Sequence, residues 1–253
     1  MNRRDAIGFG LAGIALGGAW SGSFALAMRF APPTIEVVGD GYAQIALLNT
    51  TRFRALFLIG TPGESLRQQI GYVLGFLRER LDLVIGTATA ISSLGDAFRD
   101  AHHVARTIAV DDDAHAGAMR ANLPQDVTLQ LTIASLGAWK RIGEPTATWS
   151  AVITHADATV ALGPDLDRLA TTIPTDTALA IAPYGSLTYA ARKLPRTALA
   201  LNVDHVDETA LLGEMTDDDP WIVRVHRNDR ATFAFRNGGV TLPDWAVRAP
   251  IAD

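Results

Sequence analysis

The chain contains no cysteine. That excludes disulfides, thiolate metal sites and a cysteine nucleophile, and it leaves stability to packing. Positive charge is also short: 22 Lys and Arg stand against 27 Asp and Glu, for a formal net charge of -5. Nucleic acids and anionic lipids are held by clustered cations that displace counterions, so the balance argues against a broad surface for either, leaving only a local patch. No repeat of about 20–50 residues and no Pro/Ser-rich linker breaks the chain, which favours a single domain. Nucleotide loops are missing too. Gly39-Asp40-Gly41 lacks the third glycine and the helix that would have to follow at once. There is no G-x-S-x-G elbow, and no base is assigned by sequence to Ser92, Ser93 or Ser186. What is present is 253 residues, 48% of them hydrophobic, enough to bury a full core.

The N-terminus carries its own pattern. Arg3-Arg4 is followed from Ala6 to Ala27 by a Gly-rich stretch with no charged residue, ending in Ala25-Leu26-Ala27, small residues in an A-x-A arrangement. This resembles a bacterial twin-arginine signal peptide, in which a receptor reads the arginines as an address. It departs from that pattern after Arg4, where Asp5-Ala6-Ile7-Gly8 stands in place of a bulky apolar residue. Residues 1–27 are therefore read as the leader and 28–253 as one exported domain, periplasmic or extracellular. The competing reading is an uncleaved membrane anchor, because the uncharged run approaches the ~20 residues that span a bilayer. Six glycines within it weaken it as a spanning helix. Cleavage would remove Arg3, Arg4 and Asp5 and take the net charge to -6.

From Thr34 onward short apolar strands alternate with helices. Strands are expected at 34–38, 44–48, 55–59, 81–85 and 107–110, then at 127–133, 151–155, 159–162, 179–182, 198–203, 221–227 and 232–236. A helix over 66–80 is signalled by Ser65 as cap and by the stripe Leu66, Ile70, Val73, Leu74 and Leu77. Shorter helices are expected at 97–103, 165–171 and 187–193, and Asn237-Gly238-Gly239 reads as a turn. Such an order suggests sheets with helices outside them.

Several segments, in order, resemble the metallo-β-lactamase fold superfamily, especially the ComEC/Rec2-type domain. Val38-Gly39-Asp40-Gly41-Tyr42-Ala43 stands where that family opens D-V-G-Q-G-D-A, and Leu58-Ile59-Gly60-Thr61-Pro62 where it has L-I-D-G-G. Leu81 to Gly95 aligns without gaps to L-D-L-V-V-L-S-H-x-H-x-D-H-I-G. Leu162-Gly163-Pro164-Asp165 matches L-T-G-D, and Ile181 to Ser186 matches V-x-H-H-G-S. The resemblance implies an α/β fold: an αββα four-layer sandwich of two mixed β-sheets flanked by helices. It also implies where metal ligands would stand, and there the chain departs from the family. Thr87 leads into the segment; Ala88 and Ala90 replace two histidines, Ser92 the aspartate and Ser93 the next histidine. Pro183 and Tyr184 replace a later pair, before Ser186, while Asp165 is kept and His205 matches a late histidine. Alanine offers no lone pair and serine is a poor zinc ligand, whereas a catalytic zinc ordinarily has three protein ligands and a water.

The expectation is therefore an exported, metal-free pseudoenzyme without cofactor that binds an unknown ligand or protein partner through the former active-site cleft. Its only link to a membrane would be an uncleaved leader. Two alternatives stay open. One is a hydrolase with a relocated site using His102, His103, His115 or Asp165, with Asp111-Asp112-Asp113 nearby. The other, an accessory role in DNA uptake, follows from the family alone. His155 and Asp157 are expected on one strand face, where a carboxylate could orient an imidazole. The tryptophans Trp139, Trp149, Trp221 and Trp245 are read as packing residues.

Overall fold

A computed structural model describes residues 31–40, 43–60, 63–74, 80–111, 116–136, 147–166, 168–182, 198–202, 221–225, 230–244 and 247–248. The chain divides into Met1–Pro32 and Pro33–Asp253, and every described element belongs to the second unit. These elements run β1 (Thr34–Asp40), β2 (Ala43–Asn49), β3 (Arg54–Ile59), α1 (Glu64–Leu74), β4 (Leu83–Gly86), α2 (Ala88–Ala101) and β5 (Thr107–Ala109). Then come β6 (Gly117–Leu123), β7 (Val127–Ser135), β8 (Ala147–His155), β9 (Ala158–Leu162), a 3-10 turn (Ala170–Thr172), β10 (Leu179–Ala182) and β11 (Ala198–Asn202). Strands β12 (Trp221–Val225), β13 (Arg230–Arg236), β14 (Gly239–Val240) and β15 (Val247–Arg248) complete the order.

Two mixed sheets form. Sheet 1 has the order β14-β13-β1-β2-β3-β4-β5, and sheet 2 the order β15-β12-β11-β10-β9-β8-β7-β6. Between them lies a core built from Ile35, Val37, Phe57, Ile85, Leu129, Leu131, Trp149, Ile153 and Phe233 among others. A second core fills the outer face of sheet 1, where Val38, Ile45, Leu47, Leu56 and Leu58 meet Ile70 and Leu74 of α1 and Ala90, Ile91 and Leu94 of α2. Strands β2 and β3 are thus covered on both faces, which is why they read as continuous apolar runs. β7 alternates buried with half-buried positions, as a strand covered fully on one face does. Trp149 lies in the inter-sheet core, as its size and apolarity suggest.

The sandwich agrees with the expected architecture, and the departures have local causes. α1 begins at Glu64, so Ser65 sits inside its first turn rather than capping it. α2 starts nine residues before the helix expected at 97–103, because Thr87 caps it: the Thr87 Oγ1 accepts from the Ala90 N–H at 3.1 Å. Gly95, with φ 77°, kinks it. The helix expected at 165–171 is reduced to a 3-10 turn. Both the N–H and the hydroxyl of Thr172 donate to the Leu169 carbonyl, at 2.8 and 2.7 Å, closing an i→i+3 turn. The expected helix at 187–193 lies outside the described residues.

Candidate functional site

Strand direction decides where a site can sit. β3, β4 and β5 run parallel in sheet 1, and β9, β10, β11 and β12 run parallel in sheet 2. These registers, with the inter-sheet hydrogen bonds Gln44–Ala200 near the strand C-terminal ends and Thr51–Gln125 and Gly238–Ala156 at the opposite end, place the C-terminal ends of both sets at the same end of the sandwich. At that end, here the near end, lie Asp40, Ala43, Gly60, Gly86, Asp111, Gly163, Asp165 and Ala182. Crevices at the carboxyl ends of parallel strands are where such sheets bind ligands. The far end holds the connections 50–53, 124–126, 156–157 and 237–238.

The near end is built from backbone outward. β4 ends at Gly86, where a Cβ would lie 2.8 Å from that of Leu58, and the chain turns through Thr87 into α2. The first helical N–H, that of Ala88, donates to Asp111 Oδ1 at 3.0 Å. A carboxylate at a helix N-terminus satisfies an otherwise orphan donor and meets the positive end of the helix dipole. Asp111 lies two residues past the end of β5, and the parallel pairing of β4 with β5, continued by the Val110 N–H to the Gly86 carbonyl, carries it to that position. On sheet 2, Leu162 passes into Gly163, where a Cβ would stand 2.5 Å from the Trp149 carbonyl oxygen and 3.2 Å from Ser150 Cα. Only glycine fits there without moving backbone. Asp165 follows after Pro164, and Arg168 engages it twice: Nε–Oδ2 at 2.9 Å and the Arg168 N–H to Oδ1 at 3.4 Å. Behind the rim, the fully buried Gln44 donates from Nε2 to the Ala200 carbonyl at 3.4 Å, joining β2 to β11 across the two sheets.

The residues at the family's ligand positions do not face one centre. Ala88 is exposed, and Ser92 is exposed one helical turn further on. Ala90 is fully buried in the core between α2 and sheet 1. Ser93 is half-buried, and its hydroxyl donates back to the Ala90 carbonyl at 2.7 Å. Pro183, Tyr184, Ser186, His205, Arg3, Arg4, Ala25 and Ala27 lie outside the described residues, as do Asp112, Asp113, His115, Trp139 and Trp245. Among the described residues no three His, Cys, Asp or Glu side chains are grouped so as to hold a metal ion. The donors described do not fit the metal that the resemblance implies: alanines stand at two of the positions, and Asp165, the carboxylate that matches the motif, is held by Arg168.

The histidine clusters suggested by sequence separate. His102 caps the C-terminus of α2 and His103 follows it, so both precede β5, whereas Asp111 lies beyond it. The four residues of β4 alongside span roughly 13 Å, too far for shared ligation. His102 stacks on Phe98 with ring centroids 4.6 Å apart, and its Nδ1 is buried without a hydrogen-bond partner. Burial, and secondarily the charge of His103, lowers its pKa. His155 and Asp157 do not share a strand face either. β8 ends at His155, and Asp157 is an exposed turn residue with φ 64°. The His155 ring instead sits edge-on to Phe235, with centroids 5.8 Å apart. A small apolar cleft, lined by Val38, Ile45, Leu47, Leu56, Ile70 and Leu74 with Glu36, belongs to the α1 face of sheet 1. Glu36 there is engaged by Arg230 at 2.6 Å and by Asn49 Nδ2 at 3.4 Å.

No protein-family model matches the chain, and a comparison with curated proteins finds no match. Among solved structures it is similar to the metallo-β-lactamase fold protein YhfI from Bacillus subtilis, with a TM-score of 0.54 and 13% identity. The likeness covers 79% of this chain and 99% of that one. With the two mixed sheets and the outer helices, it shows that this chain has the metallo-β-lactamase fold.

Proposed function

We propose that this chain is an exported, non-catalytic protein of the metallo-β-lactamase fold that acts by binding through the near-end cleft. The reading rests on one observation above all: two carboxylates at that end, those of Asp111 and Asp165, are both committed to the protein itself. Asp111 receives the first N–H of α2 and Asp165 is paired with Arg168. A water on a divalent ion becomes hydroxide near neutral pH because ligands hold the ion in an open site. Here alanines stand at two of the ligand positions and one of them, Ala90, is part of a hydrophobic core. The ComEC-type likeness of the sequence supports descent from a metal-binding ancestor, and the net charge of -5 speaks against DNA as the ligand.

Export rests on Arg3-Arg4 and the A-x-A at Ala25 to Ala27. Removal of residues 1–27 would leave every described strand intact, since β1 begins at Thr34. Elemental analysis of the purified protein tests the metal-free reading. Zinc, manganese and iron should each fall far below one per chain, and chelator should leave the melting temperature unchanged. A metal bound near one per chain would overturn it. Replacement of both Arg3 and Arg4 by Lys should abolish export in cell fractionation, and an unchanged distribution would remove the leader reading.

A further inference from the structure

Among the described residues each sheet has two edges, and three of the four are short: β14 and β15 have two residues and β5 has three. The fourth is β6, seven residues long. Short edges resist pairing with another chain, and longer ones are commonly protected by proline, a bulge or inward charge. β6 has none of these. Its sequence is Gly-Ala-Met-Arg-Ala-Asn-Leu, its register with β7 runs unbroken from Gly117↔Ile133 to Leu123↔Val127, and its one charge is Arg120. Six of its seven residues are exposed on both faces. Met119 pairs with Leu131, and Ala121 with Leu129, so both stand on the face that in β7 is buried between the sheets. Met119 is nevertheless 42% exposed, the one large hydrophobic residue so exposed among those described. Among the described residues the strand therefore overhangs the inter-sheet core, with an unpaired edge and an uncovered apolar face.

We infer that β6 is a homodimer interface, through which two copies pair edge to edge, antiparallel and related by a two-fold axis at Met119. The occupant follows from the side chains. A two-fold axis makes a strand meet its own reverse. Centred on Arg120, the pairing would set two guanidinium groups opposite each other, which is destabilising. Centred on Met119, it sets Met119 against Met119, Ala118 against Arg120 and Gly117 against Ala121. That arrangement covers the exposed thioethers with each other, gives each arginine a small neighbour, and fuses two eight-stranded sheets into one. One strand per copy lies at the low end of interface sizes, so the dimer is weak, with a dissociation constant on the order of 10 μM. This inference is independent of the cleft reading.

The absence of cysteine provides a clean experiment. Met119→Cys and Arg120→Cys are made in the full chain, and each is oxidised mildly at about 50 μM. Opposed strand residues lie roughly 4.5–5.5 Å apart, within reach of a disulfide, whereas in the Met119-centred register the two copies of position 120 are diagonal neighbours beyond it. Met119→Cys should cross-link at least tenfold faster than Arg120→Cys. Sedimentation should show a concentration-dependent dimer for the unsubstituted chain that Met119→Lys abolishes, with circular dichroism unchanged. Equal or reversed cross-linking rates, a monomer at all concentrations, or a dimer that survives Met119→Lys would each overturn the interface.

Discussion

The two ends of the sandwich are closed by different means. At the far end, sheet 1 and sheet 2 are laced through connections: the Thr51 N–H donates to Gln125 Oε1 at 2.9 Å, and the Gly238 N–H to the Ala156 carbonyl at 3.1 Å. The turns that make those contacts are strained. Gln125, Asp126, Ala156 and Asp157 all take positive φ without being glycine. At the near end each rim has its own local closure, Asp111 on α2 in sheet 1 and Arg168 on Asp165 in sheet 2. The contrast, among the described residues, teaches where the fold spends its polar groups: the loops of the far end tie the sheets to each other, whereas the rims of the near end are closed locally and the sheets meet behind them through the buried Gln44.

The sharpest way to break the near end is Gly163→Ala. The added Cβ meets backbone, the Trp149 carbonyl and Ser150 Cα, at 2.5 and 3.2 Å, and backbone yields less readily than a side-chain tip. A loss of about 3 kcal/mol is expected, at the upper end for overpacking. Urea unfolding measures it, and a loss below about 1 kcal/mol would show that the rim of sheet 2 is looser than its geometry. Asp111→Ala comes second. It leaves the Ala88 N–H to water, and helix capping is worth about 1 kcal/mol. The loss should be recovered in part by Asn, which keeps the acceptor. If Ala and Asn behave alike, the carboxylate does not hold α2.

How much of this is legible in the sequence depends on the range of the interactions. β1 to β5 and β7 to β13 show there because apolar alternation and apolar runs are local records of burial. β6 leaves no such record: Gly117 to Leu123 has no covered face, so nothing imposes a pattern on it. The first half of α2 is hidden for another reason. Thr87 to Gly95 aligns with a ligand motif, and the glycine kink cuts the helical signal short. The capping role of Asp111 joins residues 23 apart, a pairing that spacing does not encode. Arg168, three residues after Asp165, is readable as a partner, since that interval brings side chains together in a turn. Ala90 stands where the family that the sequence resembles has a histidine, but only the packing reveals that its side chain belongs to the α2 core.

A change at the far end should have the opposite sign. Ala156, exposed, holds φ 47° in the two-residue turn between β8 and β9, where left-handed backbone is costly for any residue with a Cβ. Ala156→Gly keeps the carbonyl that receives the Gly238 N–H and removes the strain. Part of the gain is offset because glycine frees the unfolded chain. Thermal unfolding should report a gain of about 0.5 kcal/mol, and a loss would mean that the turn is better suited to alanine than its φ suggests.

The smallest expected effect is a pH dependence, and it separates the two ends of β5. His102, before that strand, has its pKa lowered by burial first and by His103 second. The folded chain thus holds this proton less tightly than the unfolded one, whose histidine titrates near pH 6.5. Above about pH 6.5 both states are neutral at this group and its contribution to stability is fully present. As pH falls below that value the unfolded state takes up the proton first, and stability declines until the folded pKa is passed. Unfolding midpoints measured from pH 8 to pH 5 should therefore fall on the acid side. His102→Gln should flatten that part of the curve, because the buried Nδ1, which has no hydrogen-bond partner, goes with the ring. An undiminished slope in His102→Gln would assign the acid sensitivity to another group and leave the C-terminus of α2 without a role in it.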